Sequence, residues 1–282
     1  MNNIKIKTYA KINLCLDIIS KRPDGYHDLK TIMQSLDLCD QVELAKDSGI
    51  TVACDHPQVP EGPENIAYKA AELLFRTAGL SLGARIHIRK KIPFEAGLAG
   101  GSSNAAGVLL GLNYLYELNF TLHQLVSLAK KLGADVPFCL VGGTVLATGI
   151  GERLNLLPPL QTCDIVLVKP AKGISTKAVY ERVDLQSLSN RPDVDKAVQA
   201  IEYKDLNLLS KSMGNVLEPV TCSLLQEVAE IKEKMLMYGA AAAQMCGSGP
   251  TVFAICSDQD QAQYIYKQFR NDYSEVFLCK TT

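Results

Sequence analysis

"PFEAGLAGGSSNAA", residues 93–106, decides how this chain is read. Glycines and alanines share it with two serines and an asparagine, and Glu95 carries the only charge. Few of these side chains are large enough to pack, so the stretch exists for its backbone. It follows "ARIHIRKKI" (84–92), where Ile86 and Ile88 alternate with polar neighbours as in a half-buried strand. It leads into "SNAAGVLLGLNYLYEL" (103–118), helical in composition, with Leu109, Leu112, Leu115 and Tyr116 on one stripe. A strand, then glycines, then a helix opening near Ser103 is an arrangement that holds phosphate. Glycine reaches positive φ and lets the main chain approach a ligand, so successive N–H groups converge on an anion. The helix start adds unpaired N–H groups and the positive end of its dipole. The serine hydroxyls can cap the helix, reach a phosphate oxygen or meet a phosphate-bound Mg²⁺. The same composition also fits a close helix–strand contact that needs small residues. Two better-known phosphate loops are excluded: the chain has no Gly-Lys dipeptide for a Walker lysine, and no G-x-G-x-x-G.

Around this stretch, the first third reads as short strands at 4–8, 12–18, 31–36, 41–45 and 50–53. Asn65 is placed to cap the helix "IAYKAAELLFRTAG", which stops at Gly79. Thr121 and Gln124 stand in capping-box spacing ahead of a helix ending at Gly133. "VGGTVLATGIGERLNLLPPL" (141–160) reads as a turn-rich separator, with Pro158-Pro159 the best linker. Beyond it come a strand at 164–169, helical segments with "SLLQEVAEIKEKMLMYG" the longest, strands at 241–246 and 251–256 joined by "GSGP", a helix, and a last strand at 275–279. That is the split βαβ order. The fold class is therefore α/β, in two domains: 1–157 and 158–282.

Composition narrows function. The 282 residues are 47% hydrophobic and 21% charged, enough for a sizeable core. Lys and Arg total 29 against 30 for Asp and Glu, and the densest basic cluster is Arg89-Lys90-Lys91, so no nucleic-acid groove is expected. Nine scattered cysteines without a C-x-x-C pair read as reduced thiols of a cytoplasmic protein. The start, "MNNIKIKTYAKINLCLDI", alternates like a strand rather than running apolar like a signal peptide. The uncharged runs 96–116 and 238–257 are broken by glycine and polar residues, so no membrane partner is expected. The four histidines lack metal-site spacing, and G-x-S-x-G is missing.

Phosphoryl transfer needs a nucleophile, a place for its proton and cations around the phosphate oxygens. Asp135 in "GADVPFC" has two readings: a turn or cap aspartate, or a base. Lys11 interrupts the apolar strand "YAKINLCL", either as an edge lysine reaching solvent or as the cationic partner of that base. "CGSGPT" (246–251) is a tight hairpin, or a loop facing the glycine-rich stretch.

Taken together, "AKINLCLDI", "RPDGYHDL", "PFEAGLAGGSSNAA", "GADVPFCLVGGTVLATGIGE" and "CGSGPTVFA" resemble the GHMP kinase superfamily, in order from Lys7 to about Ala254. "RPDGYHDL" and "DVPFC" point to its branch acting on a cytidine-diphosphate sugar alcohol in the non-mevalonate route to isoprenoid precursors. The resemblance implies two domains with the active site in the cleft between them. The N-terminal one resembles the second domain of a small-subunit ribosomal protein, and the C-terminal one is ferredoxin-like. It implies ATP with Mg²⁺ and phosphorylation of the tertiary 2-hydroxyl of a diphosphocytidyl-methylerythritol. Asp135 would be the base, Lys11 its electrostatic partner, and Asn13 a substrate contact. Pro93, Phe94, Glu95, Ala96, Gly97, Leu98, Ala99, Gly100, Gly101, Ser102 and Ser103 would hold ATP. Tyr26 and His27 would hold the cytosine, with Tyr180 as the opposing aromatic face and Thr176 a polar contact. Met33 stands where some relatives carry an aromatic residue, and Glu95 where they often carry a small one. The metal ligands are not assigned, and a monomer or weak homodimer is implied. The alternatives are a homoserine- or mevalonate-type kinase of the same superfamily, or a non-catalytic nucleotide sensor.

Overall fold

The computed structural model describes residues 2–282. The chain begins with β1 (Asn3–Lys21), β2 (His27–Asp47), β3 (Ile50–Cys54), α1 (Ile66–Ala78), β4 (Gly83–Arg89), α2 (Gly100–Leu115), α3 (Leu122–Ala129) and α4 (Val136–Val141). It continues with β5 (Thr144–Gly149), β6 (Arg153–Leu156), β7 (Asp164–Lys169), α5 (Thr176–Tyr180), α6 (Val194–Glu202) and α7 (Leu206–Ser212). The last elements are β8 (Gly214–Asn215), α8 (Glu218–Leu224), α9 (Glu227–Met237), β9 (Ala242–Met245), β10 (Val252–Cys256), α10 (Gln259–Arg270) and β11 (Glu275–Lys280).

Local signals account for several boundaries. Asn65 Oδ1 accepts the Ala67 amide at the start of α1, and Gly79 closes it at φ 68°. Thr121 and Gln124 form the reciprocal capping box of α3, although that helix ends at Ala129 rather than Gly133. The strands expected at 4–8 and 12–18 are one strand, as are those at 31–36 and 41–45. The separator at 141–160 holds the β5–β6 hairpin, whose antiparallel register runs from Val145 opposite Leu156 to Thr148 opposite Arg153. The long helix expected from 223 is two helices, because Leu225 takes an extended conformation between α8 and α9.

Two compact units result, neither of them a continuous stretch of chain. One comprises the chain through Ala10 with 38–94 and 99–142; the other comprises 11–37, 95–98 and 143–282. Both β1 and β2 run from one unit into the other. In the first unit, β4 pairs antiparallel with the second half of β2 and parallel with β3. Leu44, Ile86, Leu74, Leu109, Leu112 and Val136 belong to its core. Helix α2 carries glycine on its packed side: a Cβ on Gly107 would run into Thr8 Cγ2, and one on Gly111 into Leu44 and Ile6. The small residues beyond the glycine-rich stretch thus serve close packing.

In the second unit, the first half of β2 pairs antiparallel with β5, and β8 lies parallel to β1 at Cys15 and Leu16. A separate four-stranded sheet has the order β11-β7-β10-β9 with every pair antiparallel. That is the split βαβ topology read from the sequence. Val166, Val168, Ile231, Met235, Ala254, Ile265 and Phe269 belong to the core cluster beneath it. Among the described residues no helix is long and apolar enough to cross a membrane.

Overpacking a tight helix–strand contact costs about 1–3 kcal/mol. Gly107→Val should therefore lower the unfolding midpoint in urea without changing the denaturant slope. An unshifted midpoint would show that Thr8 yields freely.

Candidate active site

Within the second unit, Gly97 of the glycine-rich stretch meets the turn between β9 and β10. Its φ is 75°, and a Cβ there would run into the Cys246 carbonyl oxygen and lie 3.0 Å from that of Gly249. Glycine is required twice over, by conformation and by space. Both readings of "CGSGPT" therefore hold. The segment turns β9 into β10, with Cys246 N–H donating to Thr251 O at 2.8 Å, and its backbone faces the glycine-rich stretch. The turn is held from behind. Fully buried Asn215 donates through Nδ2 to Met245 O at 3.0 Å and Gly247 O at 2.8 Å. Thr221 Oγ1 donates to Ser248 O at 3.1 Å. Neither residue stands out in the sequence, because an isolated Asn or Thr carries no motif.

Lys11 is not an edge lysine. It is 4% exposed, and its Nζ donates to Asn13 Oδ1 at 2.8 Å. Asn13 is oriented in turn: its Nδ2 donates to Thr31 Oγ1 at 2.9 Å, and Thr31 donates to Cys15 O at 2.6 Å. Gln244 Nε2 donates to Asn13 O at 2.9 Å, fixing the strand itself. The Lys11 amide donates to Leu98 O at 3.2 Å, so this strand and the glycine-rich stretch are joined by main chain. A Cβ on Gly247 would lie 3.3 Å from Lys11 Nζ and 3.5 Å from Asn13 Oδ1. Gly97, Lys11, Asn13 and the 246–251 turn therefore lie together. Burial pushes the Cys246 thiol well above its ordinary pKa, and the positive charge of Lys11 pulls the other way.

Around the same turn are the residues expected to hold a base. Thr176 Oγ1 lies 2.8 Å from Ser248 Oγ, linking the start of α5 to the turn. At the other end of α5, the Tyr180 ring stands 5.4 Å from that of His27, tilted by 34°. His27 is 8% exposed, whereas Tyr26 is 60% exposed. The ring against Tyr180 is thus His27, with Tyr26 presented to solvent beside it. Met33 is buried in β2 opposite Val145, and Glu95 has its carboxylate against Gly173, where a Cβ would lie 3.2 Å from Oε2.

The rest of the glycine-rich stretch belongs to the first unit. Helix α2 opens at Gly100, earlier than the sequence places it, and its N-cap Ala99 sits at φ 58° with no side-chain cap. Ser103 is already inside the first turn: its amide donates to Ala99 O at 2.8 Å and its hydroxyl to Tyr9 O at 2.8 Å. Phe94 packs against His56, ring centroids 5.6 Å apart, and Pro93 is buried. Asp135 occupies the N-cap position of α4, yet its side chain makes no capping hydrogen bond. The cap role that the residue type favours is left unused.

Two family models match this chain: GHMP kinases N terminal domain over residues 65–143 and GHMP kinases C terminal over 196–275. A 4-diphosphocytidyl-2-C-methyl-D-erythritol kinase of Acetivibrio thermocellus is 46% identical over 282 residues, covering 100% of both chains. The chain belongs to the GHMP kinases. A crystal structure of a 4-(cytidine 5'-diphospho)-2C-methyl-D-erythritol kinase superposes with TM-score 0.84 at 33% identity, over 99% of each chain. A homoserine kinase of Cytophaga hutchinsonii superposes with TM-score 0.80 over 100% of this chain and 95% of its own, but at 21% identity that likeness concerns the fold alone. This GHMP kinase is an ATP-dependent small-molecule kinase.

In this kinase His27 is held below the ordinary histidine pKa of 6.5, first by burial and then by the charge of Lys21. A neutral imidazole at pH 7 offers one donor and one acceptor. The unfolded chain binds the His27 proton more readily than the native one. Stability therefore falls as pH drops from about 6.5 and levels off below the native pKa. Lys21→Gln should raise the His27 midpoint in an NMR titration toward 6.5; an unmoved midpoint would remove Lys21 as a cause.

Proposed function

We propose that the chain transfers the γ-phosphoryl group of ATP to the tertiary 2-hydroxyl of 4-diphosphocytidyl-2-C-methyl-D-erythritol. It would do so in a cytoplasmic, non-mevalonate route to isoprenoid precursors. The observation that carries this reading is the buried set Lys11–Asn13–Thr31, bonded through the Lys11 amide to Leu98. Burying an ammonium costs several kcal/mol unless its surroundings compensate, so a lysine kept there has a task. A relative named 4-diphosphocytidyl-2-C-methyl-D-erythritol kinase matches the whole chain and supports this choice of substrate.

In this reading the backbone from Gly97 to Ser103, with Pro93 to Ala96 before it, holds the nucleotide. Gly97 is packed against the backbone of the 246–251 turn, which fixes where that loop begins. The amides of Gly100, Gly101 and Ser102 open α2 with no capping side chain over them. Mg²⁺ is proposed to accompany the ATP phosphates. Among the described residues no group of three His, Cys, Asp or Glu is placed to hold a metal ion, so no protein ligands are assigned to it.

Asp135 is the proposed base. Its carboxylate takes the proton of the substrate hydroxyl as the oxygen attacks phosphorus, and Lys11 offsets the negative charge that develops there. Asn13, whose Oδ1 accepts from Lys11, contacts the alcohol. His27, Tyr26, Tyr180 and Thr176 receive the cytosine, a flat base with a polar edge. Each stacking contact is worth about 1–3 kcal/mol. On the division read from the sequence, 1–157 supplies ATP binding and 158–282 completes the acceptor site, in a monomer or weak homodimer.

Incubation with ATP and Mg²⁺ and each alcohol separately tests the substrate. Turnover is expected with the diphosphocytidyl alcohol, and turnover of homoserine or mevalonate instead would reverse the choice. Asp135→Asn should lower kcat by about 10²–10⁴-fold while leaving ATP affinity nearly unchanged; an unchanged kcat would refute the base. Tyr26→Ala should mainly raise KM for the cytidylyl substrate, because stacking holds ground and transition states alike.

A further inference from the structure

Lys90 stands in the densest basic cluster of the sequence, Arg89-Lys90-Lys91, yet its side chain is only 6% exposed. It pairs with Asp40, which is fully buried. That carboxylate is saturated with donors. Oδ1 accepts the amides of Lys91 at 2.7 Å and Ile92 at 2.8 Å. Oδ2 accepts Lys90 Nζ and, at 2.9 Å, Asn104 Nδ2. Asn104 Nδ2 also donates to Thr8 Oγ1 at 2.9 Å. One carboxylate therefore ties together β2, the segment that enters the glycine-rich stretch, and the start of α2. All of these groups lie within the first unit.

Two observations connect this cluster to the helix start. A Cβ on Gly100 would lie 2.9 Å from Lys90 Nζ and 3.1 Å from Ile92 Cγ2, so the ammonium sits directly behind the first residue of α2. The N-cap, Ala99, supplies no side-chain oxygen and adopts a left-handed backbone. The first turn therefore takes its aim from side chains behind it rather than from a cap. A buried ion pair is seldom worth more than well-packed apolar residues of the same volume, whereas its geometry is specific. The neighbouring core residues Val42, Leu44, Ile88 and Val108 are apolar, so the polar set stands apart from the packing around it.

We propose that Asp40, Lys90 and Asn104 are positioning residues that hold the opening amides of α2 in register for the nucleotide phosphates. The proposal rests on the reading of Gly97–Ser103 as the nucleotide loop. None of the three side chains is assigned contact with the reacting atoms.

The test uses two variants of the full chain: Asn104→Ala, which cuts the link to α2 and keeps the ion pair, and the double variant Asp40→Leu with Lys90→Met, which removes the pair but keeps volume. Calorimetry with ATP should show Kd raised about 10-fold or more in each, and steady-state kinetics should show KM for ATP raised with KM for the diphosphocytidyl alcohol within about 2-fold. A folded variant that binds ATP like the wild type overturns the proposal. So do equal rises in both KM values, which would indicate general loosening, and so does failure of both variants to fold, which would make the triad a stability element. If one variant fails to fold, the other decides. The wild type separates this from the functional reading. Wild-type ATP binding without turnover of the diphosphocytidyl alcohol defeats the substrate assignment and leaves the triad standing or falling on the Kd values. Absence of wild-type ATP binding defeats the nucleotide-loop reading, and the triad's role with it.

Discussion

The second unit depends on one backbone contact, that of Gly97 with the turn from Cys246 to Gly249. No side chain fits at that point, and the left-handed φ of Gly97 admits few residues besides glycine. Because the approach is made by main chain, its geometry is fixed by hydrogen bonds rather than by adaptable packing. The Lys11 amide bonds to Leu98 O on one side, and Asn215 with Thr221 holds the turn on the other. Residues distant in sequence thereby become one hydrogen-bonded and closely packed set around the Lys11 ammonium.

Buried polar groups recur where the fold must be specific. Asn13, Thr31 and Gln244 orient one another around β1, and Asp40 with Lys90 and Asn104 does the same at the start of α2. Each such group costs desolvation unless it is bonded, so a satisfied set selects one geometry and penalises its neighbours. Apolar clusters fill the volume, and the polar sets define which arrangement of that volume persists.

How far the sequence could be read depended on range. Capping at Asn65 and at Thr121 with Gln124 was legible because both partners lie within a few residues. The split βαβ order was legible because its strands and helices alternate plainly. The sequence points to a start of α2 near Ser103, since Gly100 and Gly101 are poor helix formers, and only the surrounding fold makes them helical. The β5–β6 hairpin looked like a separator because glycines at its turn outweighed its short strands. A solvent-reaching lysine is one of the two sequence readings of Lys11, and Lys90 lies in a basic cluster, yet both side chains are buried. Burial of a lysine depends on donors and acceptors that the local sequence does not contain.

The sequence by itself determined the chemistry on offer: bare backbone at 93–106, a turn at 246–251, a lysine in an apolar strand and an aspartate ahead of a proline. Those follow from residue types and their near neighbours, which act over one or two turns of chain. Only the tertiary structure decided that Gly97 meets the 246–251 turn, that His27 rather than Tyr26 faces Tyr180, and that Asp40 is the acceptor for four donors. These contacts join residues far apart in sequence. They exist because strand pairing and core packing bring the segments together, which no local pattern encodes.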